Sequence, residues 1–157
     1  MNVTPPFGTQ IKHHGKSHIV QFSAVETRSG QPTLAIEMTT TMNAWGKKNT
    51  IKMHLVPETE LLALCIFLHP KNRLNSKSEF KTTRAQNRPK VLTIKVNDSN
   101  ASTYFVGLAD NNDKLLYNRV LGTQQLLSLR LIAFSRLASL YGCNVTDVMN
   151  MLEHYLN

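Results

Sequence analysis

The residues of this sequence best suited to chemistry are cations, and they are concentrated in one stretch. Residues 71–95 hold eight bases and a single acid, Glu79, giving +7 of the net charge of +8 carried by all 157 residues. The eight bases are Lys71, Arg73, Lys77, Lys81, Arg84, Arg88, Lys90 and Lys95. A concentrated basic stripe favours polyanion binding, because each neutralised phosphate releases condensed counterions. Taken alone, the charge fits equally well a solvated basic loop between two parts of a fold.

Aromatic side chains beside cations add a second kind of chemistry. The only tryptophan, Trp45, lies close to Lys47, Lys48 and Lys52, and Phe80 lies inside the basic stretch. A nucleobase stacked on such a ring contributes about 1–3 kcal/mol. Aromatic residues are only 7% of the chain, so we expect phosphate contacts to outnumber stacking contacts.

Motifs for catalysis or cofactor binding are scarce in this sequence. Glu79-Phe80-Lys81 matches the end of a restriction-type nuclease motif, but that chemistry needs a further carboxylate to hold Mg²⁺. The acids upstream, Glu58 and Glu60, fall on a predicted buried helix. No phosphate-binding glycine loop or nucleophile elbow occurs. We therefore expect no catalytic residue, no metal site and no cofactor.

The first half of the chain has the period-two alternation of β-strands. Residues 18–27, 31–42 and 49–56 are predicted strands, and residues 7–12 are a candidate fourth. Pro57 and the acids that follow it then indicate a helix start. The predicted helix spans residues 58–68 and is apolar almost all round.

The second half follows the same order. The predicted strands are residues 90–97, 102–109 and 114–121, with residues 79–84 as a candidate fourth. A long amphipathic helix is predicted to extend to Tyr141, with Thr123 as its N-cap and Gly142 as its C-terminal stop. Asn144 is the predicted cap of a last helix over residues 145–156.

The matching order indicates an internal duplication. Residues 61–66 align with residues 126–131 at an offset of 65, and this offset places Ile51 on Leu116 as an inward position. The strands before them align at an offset of 70, with the difference expected in the hairpin around Trp45. We predict an α+β fold of two antiparallel sheets from a ββββα repeat, with helices on the sheets and an extra C-terminal helix.

The chain is expected to form one nucleic-acid-binding domain over residues 1–157. Its repeat halves are residues 7–70 and 78–141, and its last helix is residues 144–156. The outward strand positions supply Lys52, His54, Lys95, Phe105, Tyr117 and Arg119. The full predicted binding set is Trp45, Lys47, Lys48, Lys52, His54, Phe80, Lys81, Arg84, Arg88, Lys90, Lys95, Phe105, Tyr117 and Arg119.

Two strand meanders, each closed by a helix, in a basic chain resemble the Whirly-like group of single-stranded nucleic-acid-binding proteins. This group is related to the transcriptional-coactivator single-stranded-DNA-binding fold and to guide-RNA-annealing proteins of kinetoplastids. The resemblance covers roughly residues 7–141 and is one of architecture. It implies sheets whose strands project past the helices, and tetramers assembled through helices.

The expected function is non-enzymatic, largely sequence-independent binding of single-stranded DNA in replication, recombination or transfer. The alternatives are RNA binding or annealing by a related fold, a basic protein-interaction or structural module, and a metal-dependent nuclease. The apolar C-terminal helix predicts a homo-oligomer. No signal peptide and no apolar run of about 18–20 residues is apparent, so we expect no membrane partner and a cytoplasmic location, including nucleoid, mobile-element or viral settings.

Overall fold

The computed structural model describes residues 10–42, 45, 48–83, 88–97 and 102–156. It contains two four-stranded antiparallel sheets, each ordered as its strands follow in the chain. Sheet A consists of β1 (Gln10–His14), β2 (His18–Glu26), β3 (Pro32–Thr40) and β4 (Thr50–His54). Sheet B consists of β5 (Glu79–Lys81), β6 (Lys90–Val96), β7 (Tyr104–Asp110) and β8 (Leu115–Leu121). The predicted α+β architecture of two sheets from a repeated unit is confirmed.

A helix follows each sheet, and a third helix ends the described chain. A π-helical turn, Pro57–Leu61, continues into α1, Leu62–Leu68. The remaining helices are α2, Thr123–Tyr141, and α3, Val145–Glu153. Among the described residues no single helix could cross a membrane, and α2 and α3 reach the necessary length and composition only together, across a bend of 95°.

The ends of the helices follow their local sequence. The amide of Val56 donates to the Glu60 carboxylate (2.8 Å), which satisfies a backbone donor where the π-helical turn begins. Gly142 ends α2 with φ 66°, a left-handed value that suits glycine. The predicted cap of α3 is confirmed, because Asn144 Oδ1 accepts a hydrogen bond from the amide of Asp147 (2.8 Å). The predicted N-cap of α2 is wrong by one residue: Gly122 precedes the helix, and its amide donates to Gln125 Oε1 (2.9 Å).

The inner faces of both sheets and the buried sides of the helices share one core. Fully buried members from both repeats include Phe22, Ile36, Met38, Leu92, Ile94 and Leu108. Burying these side chains contributes roughly 1.5–3 kcal/mol each. The outer face of sheet B is the more open surface for a ligand, since on the outer face of sheet A the side chains of Gln21, Ser23 and Thr39 are buried as well.

The helix of each repeat packs partly against the sheet of the other repeat. The helix of the second repeat, α2, packs mainly on sheet A, where Arg136 donates to the carbonyl oxygens of Thr33 (3.1 Å) and Val25 (2.5 Å). The helix of the first repeat, α1, reaches sheet B, where the rings of Phe67 and Phe80 lie 6.2 Å apart. Each sheet is thus covered partly by the helix of the other half.

The strand register corrects one part of the predicted duplication. Ile36 pairs with Met53, and its counterpart Val106 pairs with Arg119, so the last strands of the repeats correspond at an offset of 66 rather than 65. Because strand side chains alternate between faces, this single residue reverses every inward and outward position predicted for β8. The helices do keep the predicted offset, since Leu61 and Leu126 are both buried.

Candidate nucleic-acid interface

The outer face of sheet B brings cations and an aromatic ring into two neighbouring rows. The strand register defines the first row as Glu79, Lys95, Phe105 and Val120. The second row is Lys81, Thr93, Gly107 and Asn118. Directly opposed side chains in such rows lie about 4.5–5.5 Å apart at Cβ. Lys95 on β6 therefore lies directly beside Phe105, the outward ring of β7, whereas Lys81 on β5 lies two strands and one row away from it.

Phe105 lies against the sheet because glycine occupies the next outward position on its strand. A Cβ atom at Gly107 would lie 3.0 Å from Phe105 Cε1, so a larger residue there would push the ring away. The ammonium of Lys95 sits over the ring, 5.1 Å from its centroid. At an exposed site such a cation–π contact is worth about 0.5–1 kcal/mol. The result is a half-buried ring with an exposed cation above it.

Sheet A carries a second pair of this kind. The ammonium of Lys12 lies 5.2 Å from the centroid of the Trp45 ring. The amide of Trp45 donates to Thr39 Oγ1 (3.0 Å), which ties Trp45 to β3. Trp45 has φ 62°, a left-handed value that is costly for a bulky residue and is often found at functional positions. Lys12 was not among the predicted binding residues. Its place in the alternation of the first strand could have indicated an outward side chain.

Two predicted phosphate ligands, Arg88 and Lys90, make contacts that join the two repeats. Arg88 makes a two-pronged ion pair with Glu60 (2.8 and 2.9 Å) and also donates to the carbonyl oxygen of His54 (3.2 Å). Lys90 Nζ donates to the carbonyl oxygen of Lys52 (2.7 Å). These contacts link the two repeats, so Arg88 and Lys90 serve the fold at this place.

A cleft of about 700 Å³ opens where β4 meets sheet B, lined by Arg28, Lys52, His54, Arg88, Lys90, Asp110, Asn112 and Asp113 among others. Lys52 is already paired with Glu37 at 3.3 Å. Burial and the nearby Lys52 ammonium lower the pKa of His54, which keeps the imidazole neutral over more of the pH range. The hydrogen bond from Arg88 to Glu60 raises the pKa of Arg88. Because acids and internal pairs share this cleft, it is a weaker polyanion surface than the outer face of sheet B.

The predicted outward placement of Tyr117 and Arg119 is wrong. Tyr117 is only 7% exposed, and its ring lies 4.9 Å from that of His18. Arg119 also points inward and donates to the carbonyl oxygens of His14 (2.8 Å) and Val120 (2.9 Å). Its guanidinium fits because Gly15 lacks a side chain, since a Cβ there would lie 2.7 Å from Arg119 Nε. Arg119 therefore joins β8 to the turn between β1 and β2.

His13 shares this interior region with Arg119. Burial, and then the charge of Arg119, lower the pKa of His13. His13 Nε2 and Arg119 Nε are both buried without a hydrogen-bond partner among the described residues. A protonated His13 would add a second positive charge beside a guanidinium, so this part of the fold favours the neutral imidazole.

Phe80 is also a core residue and not a stacking surface. It occupies the inward position of β5, equivalent to Ile11 on β1, and is 7% exposed. Its neighbours Glu79 and Lys81 are exposed, as alternation requires. Lys48 is exposed, whereas the predicted ligands Lys47 and Arg84 lie outside the described residues. In the described part of the chain no three His, Cys, Asp or Glu side chains are grouped closely enough to hold a metal ion.

Solved structures with the same arrangement of sheets and helices identify the fold. WHY3 from Arabidopsis thaliana matches with a TM-score of 0.51 at 11% identity, over 97% of this chain and 98% of its own. WHY1 from the same plant matches with a TM-score of 0.54 at 11% identity, over 85% and 92% of the two chains. The fold is Whirly-like. The plant transcriptional regulator PBF-2 shares this Whirly-like fold, with a TM-score of 0.56 at 12% identity over 88% and 93% of the chains.

The likeness lies in the fold and is not visible in the sequence. No protein-family model and no curated protein matches the chain. The predicted resemblance to the Whirly-like group is confirmed at the level of architecture, because the matches cover nearly the whole length of both chains. Binding residues must accordingly be argued from the surface of this chain.

Proposed function

We propose that this chain is a non-enzymatic, largely sequence-independent single-stranded DNA-binding protein. The observation that carries the proposal is the outer face of sheet B, where the ring of Phe105 lies beside Lys95 and the same face carries Lys81 two strands away. A single strand needs this combination, because its bases stack on exposed rings while its phosphates require cations. Duplex DNA keeps its bases paired and stacked, so a flat ring on a sheet offers it little.

In the proposed binding step, the ammonium of Lys95 leaves the ring of Phe105 and contacts a phosphate of the bound strand. A base approaching Phe105 takes the place above the ring that the ammonium occupies. The ammonium then moves to the adjacent phosphate, where a charge-assisted hydrogen bond is stronger than an exposed cation–π contact. Lys12 and Trp45 can make the same exchange on sheet A.

The test is a fluorescence-anisotropy titration of the full chain with oligo-dT and with a duplex of equal length. We expect tighter binding to the single strand, and an affinity that falls linearly with salt on logarithmic axes. Preference for the duplex, or insensitivity to salt, rejects the proposal. Competition with an RNA of the same sequence is the second arm, and tighter RNA binding would assign the surface to RNA. Native protein that binds neither would point to an acidic protein partner.

We propose further that the chain forms a homo-oligomer, with a tetramer expected, through the surface around α3. Exposed apolar side chains follow one another in this part of the sequence: Met151 is 66% exposed and Tyr155 73%, and Tyr141 and Val145 are exposed as well. Where such side chains form one patch, they mark a contact site. The proposed setting is DNA replication, recombination or transfer in the cytoplasm or nucleoid. Localisation of a fluorescent fusion with DNA would support that setting, and exclusion from DNA would contradict it.

A further inference from the structure

The hydroxyl of Thr39, on β3, holds the only tryptophan of the chain to the start of β4. Thr39 Oγ1 accepts a hydrogen bond from the amide of Trp45 (3.0 Å). It also accepts one from Thr50 Oγ1 (3.1 Å) and donates to the carbonyl oxygen of Asn49 (3.1 Å). A hydroxyl can donate one hydrogen bond and accept two. The capacity of this completely buried hydroxyl is therefore fully used.

The backbone of Trp45 needs such support. Its φ of 62° lies in the left-handed region, which is costly for a bulky residue and persists only where the surroundings hold it. The hydrogen bond from its amide to Thr39 is one such hold. Strained residues of this kind concentrate at functional positions, so the place of the ring decides what the strain serves.

The ring of Trp45 is turned towards sheet A. Its amide is bound to β3, whereas the ammonium that lies 5.2 Å from the ring centroid belongs to Lys12 of β1. Strands β1 and β3 flank β2 in the sheet, so the half-buried ring lies back along the sheet instead of projecting into solvent. The outer face of sheet A otherwise offers a base little, because Gln21 and Ser23 are buried and bonded to each other (3.1 Å).

We infer that Thr39 positions Trp45 as a second base-stacking platform, with Lys12 as the cation beside it. This role rests on the proposed function and deepens it, since it assigns the contact that sheet A makes with a bound strand. Trp45 touches the base, and Thr39 acts through Trp45 alone. Because the ring is held before the strand arrives, binding does not have to order it, and affinity is higher for that reason.

Tryptophan emission gives a direct readout, because the chain holds a single tryptophan. The experiment titrates the full chain with labelled oligo-dT and follows both the emission of Trp45 and the anisotropy of the oligonucleotide. A base stacked on the indole quenches its emission, so we expect quenching that saturates over the same concentrations as the anisotropy. Trp45→Leu should lower the affinity for oligo-dT by about 5- to 100-fold.

Variants of Thr39 test the positioning role. Thr39→Val keeps the shape and the strand propensity but removes the hydroxyl, so we expect most of the quenching to disappear and the affinity to fall by about threefold or more. Combined with Trp45→Leu, it should weaken binding no further than Trp45→Leu alone, within about twofold, because both changes remove one platform. Thr39→Ser restores the hydroxyl and should restore both signals.

Two further variants separate positioning from stability. Thr33→Val is the matched control, because it removes an equally buried hydroxyl from the same strand, one that donates to the carbonyl oxygen of Leu55 (2.7 Å). It should lower the unfolding free energy in urea and leave the quenching unchanged. Thr39→Cys serves where Thr39→Val does not fold: a thiol is a weak donor and acceptor, so its quenching should lie below that of Thr39→Ser.

The outcomes distinguish this role from the proposed function. A native chain that does not bind oligo-dT rejects both. Binding seen by anisotropy without a change in emission shows that Trp45 is not a platform, while single-strand binding stands. Native quenching in Thr39→Val, or in Thr39→Cys where the first variant does not fold, overturns the positioning role. Losses of affinity that add up in the double variant overturn it as well.

Discussion

The Nε2 atom of His69 lies 3.1 Å from the carbonyl oxygen of Met149, and this contact joins the end of α1 to α3. His69 Nδ1 accepts a hydrogen bond from the amide of Lys71 (3.1 Å), which places the ring proton on Nε2, where it donates. The ring also meets Phe134 of α2 edge to face, 6.1 Å between centroids. One buried imidazole therefore connects three helices near the apolar surface assigned to self-association.

Replacing His69 should loosen this junction. His69→Ala leaves the Lys71 amide and the Met149 carbonyl oxygen without this partner and opens a small cavity where the buried imidazole was, so we expect a loss of about 2–4 kcal/mol of unfolding free energy. His69→Gln keeps one donor and one acceptor and should lose less. Urea unfolding measures both, with His154→Ala as the exposed control. Equal losses of unfolding free energy in the Ala and Gln variants would show that the hydrogen bonds of His69 do not stabilise this junction.

Phe105 should dominate the stacking contribution on sheet B. Phe105→Leu keeps apolar bulk but removes the π face, so we expect affinity for oligo-dT to fall by about 5- to 100-fold. Phe105→Trp should retain or raise affinity. Anisotropy titrations compare the three proteins, and identical binding by the Leu and Trp variants would remove Phe105 from the interface.

The lysines of the outer face should set the salt dependence of binding. Removing one lysine that neutralises a phosphate makes the slope of log affinity against log salt shallower by about 0.7 on a single strand. We expect that change for Lys95→Ala and for Lys81→Ala. Lys71, which pairs with Glu153 at 3.0 Å, provides the control, and Lys71→Ala should leave the slope as it is. If the slope became equally shallower in all three variants, phosphate binding would be spread over the whole surface.

His13 should make the fold less stable in mild acid. Its pKa is lowered in the folded chain, by burial first and by Arg119 second, so the unfolded chain binds a proton at a higher pH than the folded one. The unfolding free energy is therefore unaffected well above pH 6.5 and falls as the pH drops from about 6.5 towards the folded pKa. Urea midpoints between pH 8 and pH 5 measure this. His13→Gln should make the profile shallower and leave the part due to His54, whose pKa is lowered as well, whereas His14→Gln, on the exposed side of β1, should leave it as it is.

Self-association should depend on the exposed side of α3. Met151→Lys places a charge in the proposed contact and should shift the chain from oligomer to monomer in light scattering at micromolar concentration. Asn150→Lys adds the same charge one position away and should have a smaller effect. A native chain that is already monomeric at that concentration would reject the assembly.

Alternation and repetition predicted most of the fold, and they failed where a strand is apolar on both faces. In β8 the two faces carry Leu115 and Leu121, or Leu116 and Val120, so hydrophobicity cannot choose between them. The register was set instead by Arg119, whose partners are backbone carbonyl oxygens about a hundred residues away or next in the chain. An arginine that satisfies carbonyl oxygens inside a fold cannot be distinguished by sequence from one that faces solvent.

Binding residues could likewise be predicted only where the two faces of a strand differ in hydrophobicity. Lys95 and Phe105 follow from simple alternation in strands whose two faces differ, and both lie on the outer face. Arg88 is different, because its ion pair with Glu60 joins residues 28 positions apart. Only the packing of one repeat against the other shows that its charge serves the fold.

The packing of each helix on the sheet of the other repeat has a consequence for folding during synthesis on the ribosome. Sheet A is complete once β4 has been synthesised, but its cover is α2, which ends at Tyr141. The nascent chain must therefore expose the apolar side of its first sheet while more than half of its length is still being made, a state prone to aggregation. Two fragments divided between α1 and β5 should likewise each leave a sheet partly uncovered, and we expect them to be more soluble together than apart.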